Sequence, residues 1–475
     1  MRTLQPNSDL KPFSSTSRIQ RAPYDGRELA RVTCLDIDGA RRALARAHRL
    51  HRQDVLPKAT RIAVLERAAV LLSDEAERVA REAAQEGGKP LTDSRVEVAR
   101  AIDGLKWCAH AVRSEVGELI PTELNAASAD RIARTELEPL GPVLAFSAFN
   151  HPVNLIVHQV GTAIAAGCPV VVKPAEKTPI SCHNVVELLE QAGLPKGWCQ
   201  IIHLDSFETA EALVADPRNA YFSFIGSAAV GWRLRSLLAP GTRCALEHGG
   251  VAPAIIAADA DTDDLLPRLA RAAFYHSGQV CVSLQRIYVH RSIARDLANG
   301  LAEQARGMTY GDPLDGDVAV GPIITPEARR RIHAWVERAG GELLCGGEAI
   351  EPSGYMPTVI YAPKADSELC TEEVFGPVVA VIPFDEIDDA IDAANALPYI
   401  FQAAVCSQDI DTCLSTARRL RATCVMVNDH TAFRVDWMPF GGHGHSGMGV
   451  GGMRYALREQ SREKLTVLRI KGAKG

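Results

Sequence analysis

Between residues 60 and 113 apolar positions recur at helical spacing: Ile62, Leu65, Ala69 and Leu72 share one face, and Val79 and Ala83 continue it. The run Gly87-Gly88-Lys89-Pro90 predicts the end of that helix, and Val96 to Val112 reads as a second one. From about residue 141 the period changes. Apolar runs at Val143–Phe146, Val170–Lys173, Cys199–His203, Tyr221–Ile225 and Cys244–Glu247 predict strands. Helical stretches at Asn154–Ala166, Ser181–Ala192, Thr209–Ala215 and Ala229–Leu238 lie between them. Strands alternating with helices in this way mark a parallel, right-handed βαβ sheet. A second block follows, with strands near Ala254–Ala257, Arg286–His290, Val378–Pro383 and Cys424–Asn428, and helices at Leu265–Tyr275, Ala294–Met308 and Pro326–Ala339. The pattern predicts two α/β lobes in series. The tail Glu463–Ile470 alternates as an isolated strand, which needs a partner, in this chain or in another subunit.

Composition narrows the function classes. The chain has 475 residues, 47% hydrophobic and 23% charged, which are ordinary globular values and leave room for several domains. With 52 Lys+Arg against 58 Asp+Glu, the net charge of −6 gives no electrostatic reason to expect nucleic acid or an anionic membrane as partner. No apolar run approaches the roughly 18–20 residues that span a bilayer. The opening MRTLQPNSDLKPFSS lacks the apolar segment of a secretory leader, and Asp9 and the prolines oppose a transit peptide. The 12 Cys are scattered without CxxC, so free thiols and a cytoplasmic setting are expected. The 14 His include no HExxH, and His443-Gly-His445 stands without acidic or Cys company, so no metal site is expected.

Three strings carry candidate chemistry. In His276-Ser-Gly-Gln-Val-Cys281, Gly278 permits a close turn that places Cys281 just after a helix, where backbone N–H groups can stabilise a thiolate; the alternative is one more buried Cys. In Leu246-Glu247-His-Gly249-Gly250, a carboxylate at a strand end is followed by two glycines that let backbone approach closely. Burial raises a carboxyl pKa toward the range of a general base; an ion pair or helix cap is the competing reading. In Phe149-Asn150-His151-Pro152, at a strand-to-helix turn, Asn150 is either an oxyanion donor or a helix cap.

The joint order decides. Phe149-Asn150-x-Pro152, Lys173-Pro-Ala-Glu176, Phe224-Ile-Gly226-Ser227, Glu247-x-Gly-Gly, Gly278-Gln-x-Cys281, Glu372-Glu373-Val-Phe375-Gly-Pro and Pro439-Phe440-Gly-Gly follow one another along the chain. From about residue 20 onward the sequence resembles the NAD(P)-dependent aldehyde dehydrogenase superfamily, and His-x-Gly-Gln-Val-Cys-Val-Ser resembles its lactaldehyde dehydrogenase-like branch. The resemblance implies an α/β fold with a Rossmann-type cofactor domain (1–120 and 141–246), an α/β catalytic domain (247–438) and a small β oligomerisation element (121–140 and 439–475). It implies Cys281 as nucleophile, Asn150 as oxyanion donor and Glu247 as activator of the hydrolytic water. Lys173 and Glu176 would meet the adenosine ribose, Gly226 and Ser227 the pyrophosphate, and Glu373 and Phe375 the nicotinamide ribose. His151, His158, Arg434 and Phe440 would line the aldehyde tunnel.

The resemblance and these positions imply NAD-dependent oxidation (NADP as the alternative) of a small polar or anionic aldehyde, and the resemblance together with the terminal strand implies a homo-oligomer, dimer or tetramer. Glu247 favours water over coenzyme A as acyl acceptor; a cofactor-independent Cys hydrolase is the reading from another class. Glu176 stands where a 2′-phosphate would sit, which favours NAD. Arg434 either binds an anionic substrate or pairs with Asp436 or Asp429. Two departures stand out. The loop Ile202–Phe207 carries bulky residues where the family has glycines, and His248 replaces an apolar residue, altering the environment of Glu247 or simply packing. The stretch Gly442–Gly447 matches G-x-G-x-x-G but does not open a βαβ unit, so it reads as a flexible connection.

Overall fold

The structure, a computed structural model, describes residues 1–7 and 16–470. The part of the amino-terminal stretch around Asp9 lies outside the described residues. The first α/β block forms a six-stranded sheet in the order Gly447–Met448, Arg243–Glu247, Tyr221–Ile225, Val143–Phe146, Val170–Lys173, Cys199–Ile201. All neighbours are parallel except the first pair, in which Gly447 lies opposite Glu247. Alternation along the strands sorts the core onto two faces. Val143, Ala145, Val170, Val172 and Tyr221 pack against helices Lys58–Asp74, Leu91–Ser114 and Pro179–Gln191. Leu144, Phe146, Val171, Phe222 and Leu246 face helices Ile37–Gln53 and Phe207–Val214.

The second block is a seven-stranded sheet in the order Glu342–Cys345, Thr358–Tyr361, Val378–Phe384, Leu284–His290, Ala252–Ile256, Gln402–Cys406, Cys424–Val427. Its single antiparallel pair is at the first edge. Helices Thr262–Phe274 and Arg291–Arg306 cover one face over Ile256, Ile287 and Val381. A third, wholly antiparallel sheet joins Leu119–Ile120, Arg131–Pro139 and Ser461–Arg469. The tail strand therefore finds its partner within the chain, from Ser461 opposite Pro139 to Arg469 opposite Arg131.

Other differences from the sequence pattern have local causes. The predicted helix before Gly87 is two helices, Lys58–Asp74 and Ala76–Gly87, broken at Glu75 without a Gly or Pro to announce it. The next begins at Leu91, directly after Pro90, so the same proline that stops one helix starts another. Gly442–Gly447 is not a flexible connection. Its end pairs with the Glu247 strand, and a Cβ at Gly447 would overlap the Leu246 carbonyl. No helix among the described residues is long and apolar enough to cross a membrane.

Candidate active site

The carboxyl ends of the first sheet's strands face the second block across a cleft of about 950 Å³ lined by Phe146, Asn150, Ile225, Glu247, Cys281 and Arg434 among others. This is where an open α/β sheet leaves room for a ligand.

Cys281 is delivered by an unusual turn. After helix Thr262–Phe274 the backbone passes through His276 (φ 49°), Ser277 (φ 55°) and Gly278 (φ 67°), three successive residues in the left-handed region. Only the glycine adopts that conformation freely, and a Cβ on Gly278 would overlap the Gly376 carbonyl. The turn is held from outside. Ser277 Oγ donates to Gly321 O at 2.8 Å, Gln279 Nε2 to Pro322 O at 3.2 Å, and Ile324 N–H to Gln279 Oε1 at 2.9 Å. Burial pushes the Cys281 thiol up to about 12; Arg434 opposes that rise, while Glu373 and Glu247 add to it.

Asn150 Nδ2 donates to Gln279 O at 3.1 Å, which ties it to the Cys281 loop and leaves its second amide hydrogen available. Sequence reasoning missed what holds this turn. Lys89 and Glu97, both essentially fully buried, form an ion pair behind it. Lys89 Nζ donates to Asn150 O at 3.1 Å, and Glu97 Oε1 accepts from Val153 N (2.7 Å) and Asn154 N (2.9 Å). In the sequence Lys89 was visible only as part of a helix-breaking run.

Glu247 ends its strand beside Gly451, where a Cβ would stand 2.6 Å from Oε1. Burial raises its carboxyl, and Arg434 opposes the shift. The next residue, His248, packs between Phe224 and Trp232, with ring centroids 5.7 Å from each. Its Nδ1 lies 2.8 Å from Gly226 O, so it also ties down the turn at Gly226-Ser227.

Arg434 is nearly buried, its side chain 10% exposed. Of the two expected acidic partners, Asp436 forms a long ion pair with it but no hydrogen bond. Asp429 lies beside His430, and Asp436 approaches Arg434 Nε only to 3.9 Å. The Asp436 oxygens are engaged by Arg100 (2.7 and 3.0 Å), His158 Nε2 (2.7 Å) and Asn154 Nδ2 (3.1 Å). These partners hold Asp436 well below the usual carboxylate range despite its burial. The Arg434 guanidinium instead stacks on Phe440, 3.4 Å from the ring centroid, and Nη2 lies 3.4 Å from His158 Nδ1. His151 and Phe440 line the cleft with Arg434. His158 stands behind the wall, bonded to Asp436, so it supports the arginine rather than facing a ligand. Arg100 and Tyr275 also line the cleft and were not singled out in the sequence.

The cleft is also lined by Lys173, Glu176, Gly226, Ser227, Glu373 and Phe375. Glu373 Oε1 is buried without a partner, and burial pushes the carboxyl up to about 8. A Cβ at Gly249 would overlap that carboxylate. An unpartnered acceptor in such a cradle fits the hydroxyls of a nicotinamide ribose. Phe375, at φ 49°, meets Phe149 edge to face at 5.8 Å. Glu176 is largely exposed, with Arg18 at 4.0 Å, and Lys173 Nζ stands 5.5 Å over the Phe146 ring. The atypical loop is buried over Ile202–Leu204, where His203 stacks on His183 at 5.3 Å, and exposed over Asp205–Phe207, where Ser206 caps helix Phe207–Val214.

A thiol, an amide donor and a carboxylate at one end of a nucleotide-sized cleft between two α/β sheets define an NAD(P)-dependent oxidoreductase of the aldehyde-oxidising class. The chain belongs to the aldehyde dehydrogenase family, whose pattern it matches over residues 13–466. It is 36% identical over 450 residues to 3-sulfolactaldehyde dehydrogenase of Priestia aryabhattai, covering 94% of each chain. It is 33% identical over 454 residues to lactaldehyde dehydrogenase of Methanocaldococcus jannaschii, covering 94% of this chain and 96% of that one. Among solved structures it superposes on glyceraldehyde-3-phosphate dehydrogenase GapN of Methanocaldococcus jannaschii, complexed with NADP. That match has a TM-score of 0.91 at 32% identity and covers 96% of this chain and 99% of that one.

Proposed function

We propose that this enzyme oxidises a small aldehyde bearing an anionic group to its carboxylic acid, by way of a covalent Cys281 intermediate. The carrying observation is Arg434, a nearly buried guanidinium on the cleft wall with Cys281 and Glu247, hydrogen-bonded to no carboxylate. A buried cation without a hydrogen-bonded acid is costly unless a ligand completes it, and a guanidinium matches carboxylate, sulfonate or phosphonate oxygens. The 3-sulfolactaldehyde dehydrogenase relative acts, by its name, on such a compound.

The Cys281 sulfur adds to the carbonyl carbon as its proton passes to solvent, giving an anionic thiohemiacetal. The free Asn150 amide hydrogen and the Cys281 backbone N–H face the oxygen where that charge develops. Glu373, Phe375, Lys173 and the Gly226-Ser227 turn would hold NAD(P)+, which would supply the hydride acceptor needed for that oxyanion to collapse to a thioester. Glu247 then takes a proton from water as the water oxygen attacks the thioester carbon; the carbon–sulfur bond breaks, the acid leaves, and the proton on Glu247 passes to the departing sulfur to restore the Cys281 thiol. A carboxylate at 247 supports water, rather than a second thiol, as acyl acceptor. Glu176 supports NAD as the preferred cofactor, since its charge opposes a 2′-phosphate.

The three-stranded sheet exposes Ile132, Leu465, Val467 and Leu468, which supports assembly with a second copy in a dimer or tetramer. We place the protein in the cytoplasm on its scattered cysteines, which lack the paired spacing of a disulfide framework.

The test is reduction of NAD+ and NADP+ across a panel of anionic and neutral aldehydes, with Cys281→Ser as control. Cofactor reduction with anionic aldehydes preferred, abolished in the control, is expected. Preference for neutral apolar aldehydes overturns the substrate reading, and turnover by Cys281→Ser overturns the mechanism.

A further inference from the structure

The side chain of His248 takes no part in the chemistry above, yet the surrounding structure is shaped around it. It is 2% exposed, and its ring stands between Phe224 and Trp232. The far edge of the ring abuts helix Ala228–Arg235, where a Cβ at Gly231 would come within 2.0 Å of Cε1 and 2.6 Å of Nε2. Only a glycine at 231 admits the ring in this place.

The proton on that ring can be assigned from its partner. A carbonyl oxygen only accepts, so Nδ1 carries the hydrogen and donates to Gly226 O at 2.8 Å. Nε2 of the neutral ring is then a bare acceptor, buried without a partner. A proton there would leave an N–H facing the helix backbone unpaired, and burial lowers the affinity of the ring for it. His248 is thus a single donor aimed at one carbonyl. Both polar backbone groups of Gly226 are taken by neighbouring residues of one strand end: its N–H donates to Glu247 O at 3.1 Å, and its oxygen accepts from His248. The clasp is anchored in turn, since His248 N–H donates to Ser446 O at 3.1 Å.

A trans peptide sets its C=O and N–H in opposite directions. Holding the Gly226 oxygen on His248 therefore turns the Ser227 N–H away from that ring. We infer that His248 is a positioning residue for the dinucleotide: it keeps the Gly226–Ser227 peptide in the orientation that offers an N–H, and not an oxygen, to the cofactor pyrophosphate. This rests on the placing of the pyrophosphate at Gly226-Ser227 proposed above. Without the donor the peptide is free to turn over, which sets a carbonyl oxygen against phosphate oxygens. The loss falls on cofactor binding rather than on the reacting carbon.

The experiment measures the Kd of NAD+ by isothermal titration calorimetry on the full chain, beside kcat at saturating NAD+. His248→Leu, which lacks the donor, raises Kd by about three- to tenfold, the scale of one hydrogen bond, and leaves kcat within about twofold. His248→Asn, whose amide N–H can reach the same carbonyl, recovers most of the affinity. Gly231→Ala probes the same bond without touching the histidine. Its Cβ displaces the ring, so Kd rises likewise although alanine favours the helix, and adding His248→Asn, which removes the overlapped ring atoms, restores binding. Gly231→Ala decides the question if His248→Leu fails to fold. A rise in Kd below about threefold, equal losses in the Leu and Asn variants, or a fall in kcat as large as the rise in Kd overturns this inference. Ser227→Glu, which puts a carboxylate on the turn, tests the placing of the pyrophosphate separately. If that variant binds NAD+ as tightly as wild type, the placing falls and this inference with it; if binding is lost, the placing stands whatever the His248 variants show.

Discussion

Replacing Arg434 by Met keeps much of the side-chain volume against Phe440 and removes the charge. Two separable effects follow. The first is on substrate binding. Asp436 is occupied by Arg100, His158 and Asn154 and reaches Arg434 only at 3.9 Å, so the arginine's hydrogen-bonding capacity is available to a ligand. A charge-assisted hydrogen bond contributes about 1.5–3 kcal/mol, so kcat/KM for an anionic aldehyde should fall by about 10- to 150-fold. A neutral aldehyde of similar size loses none of that contact. The second effect is on the nucleophile. Arg434 is the group that most opposes the rise of the Cys281 thiol, so its loss drives that thiol higher still and slows reactions with either aldehyde. The assay pairs steady-state kinetics on a matched anionic and neutral aldehyde with iodoacetamide alkylation of Cys281 across pH. The ratio of the two kcat/KM values isolates the anion contact, and alkylation isolates the thiol. An equal loss on both aldehydes would refute the anion site, and an unchanged alkylation profile would refute the electrostatic coupling.

Glu247→Gln should leave the first turnover intact and slow thioester hydrolysis by about 10²–10⁴-fold, seen as a stoichiometric NAD(P)H burst followed by a slow phase; loss of the burst itself would place Glu247 in the first half-reaction. Lys89→Met leaves Glu97 buried and unpaired, which costs about 3–5 kcal/mol in urea unfolding, and Lys89→Met combined with Glu97→Gln should recover part of that loss. Glu373 has a folded-state pKa of about 8, above the roughly 4.3 of an exposed glutamate. Between those values the unfolded chain releases a proton that the folded chain keeps, so the cofactor-free protein loses stability as pH rises through that window. Glu373→Gln removes this contribution, and its Tm should fall less than wild type between pH 5 and pH 8.

The alternating blocks were legible because strand and helix periods differ and each sheet strand feeds two buried faces; Val143–Phe146, Val170–Lys173 and Tyr221–Ile225 fell where the pattern put them. Strands Thr358–Tyr361 and Gln402–Cys406 passed unnoticed, being short and dependent on neighbours far along the chain. The break at Glu75 was invisible because ordinary helix-forming residues flank it. Cys281, Glu247 and Asn150 were legible as candidates through glycines and turns, and the structure gathers them along one cleft. The supporting groups were not. Lys89 and Glu97 belong to one local stretch, yet their purpose appears only where the Asn150 turn arrives. Arg100 and His158 are recruited by Asp436, more than 250 residues away in sequence. Tyr275 looked like the last residue of a helix; only its approach to His151 gives it a polar role.

The short antiparallel pairing of Gly447–Met448 with the Glu247 strand has a bearing on biosynthesis. The strand bearing residue 247 leaves the ribosome about 200 residues before its edge partner, and Gly451, packed on its carboxylate, emerges later still. During translation the first sheet can collapse early, but the surroundings of the Glu247 carboxylate stay unfinished until the final stretch docks. The cleft thus closes late, and a nascent chain stalled before residue 447 would hold the five parallel strands of the first sheet with the Glu247 edge uncovered.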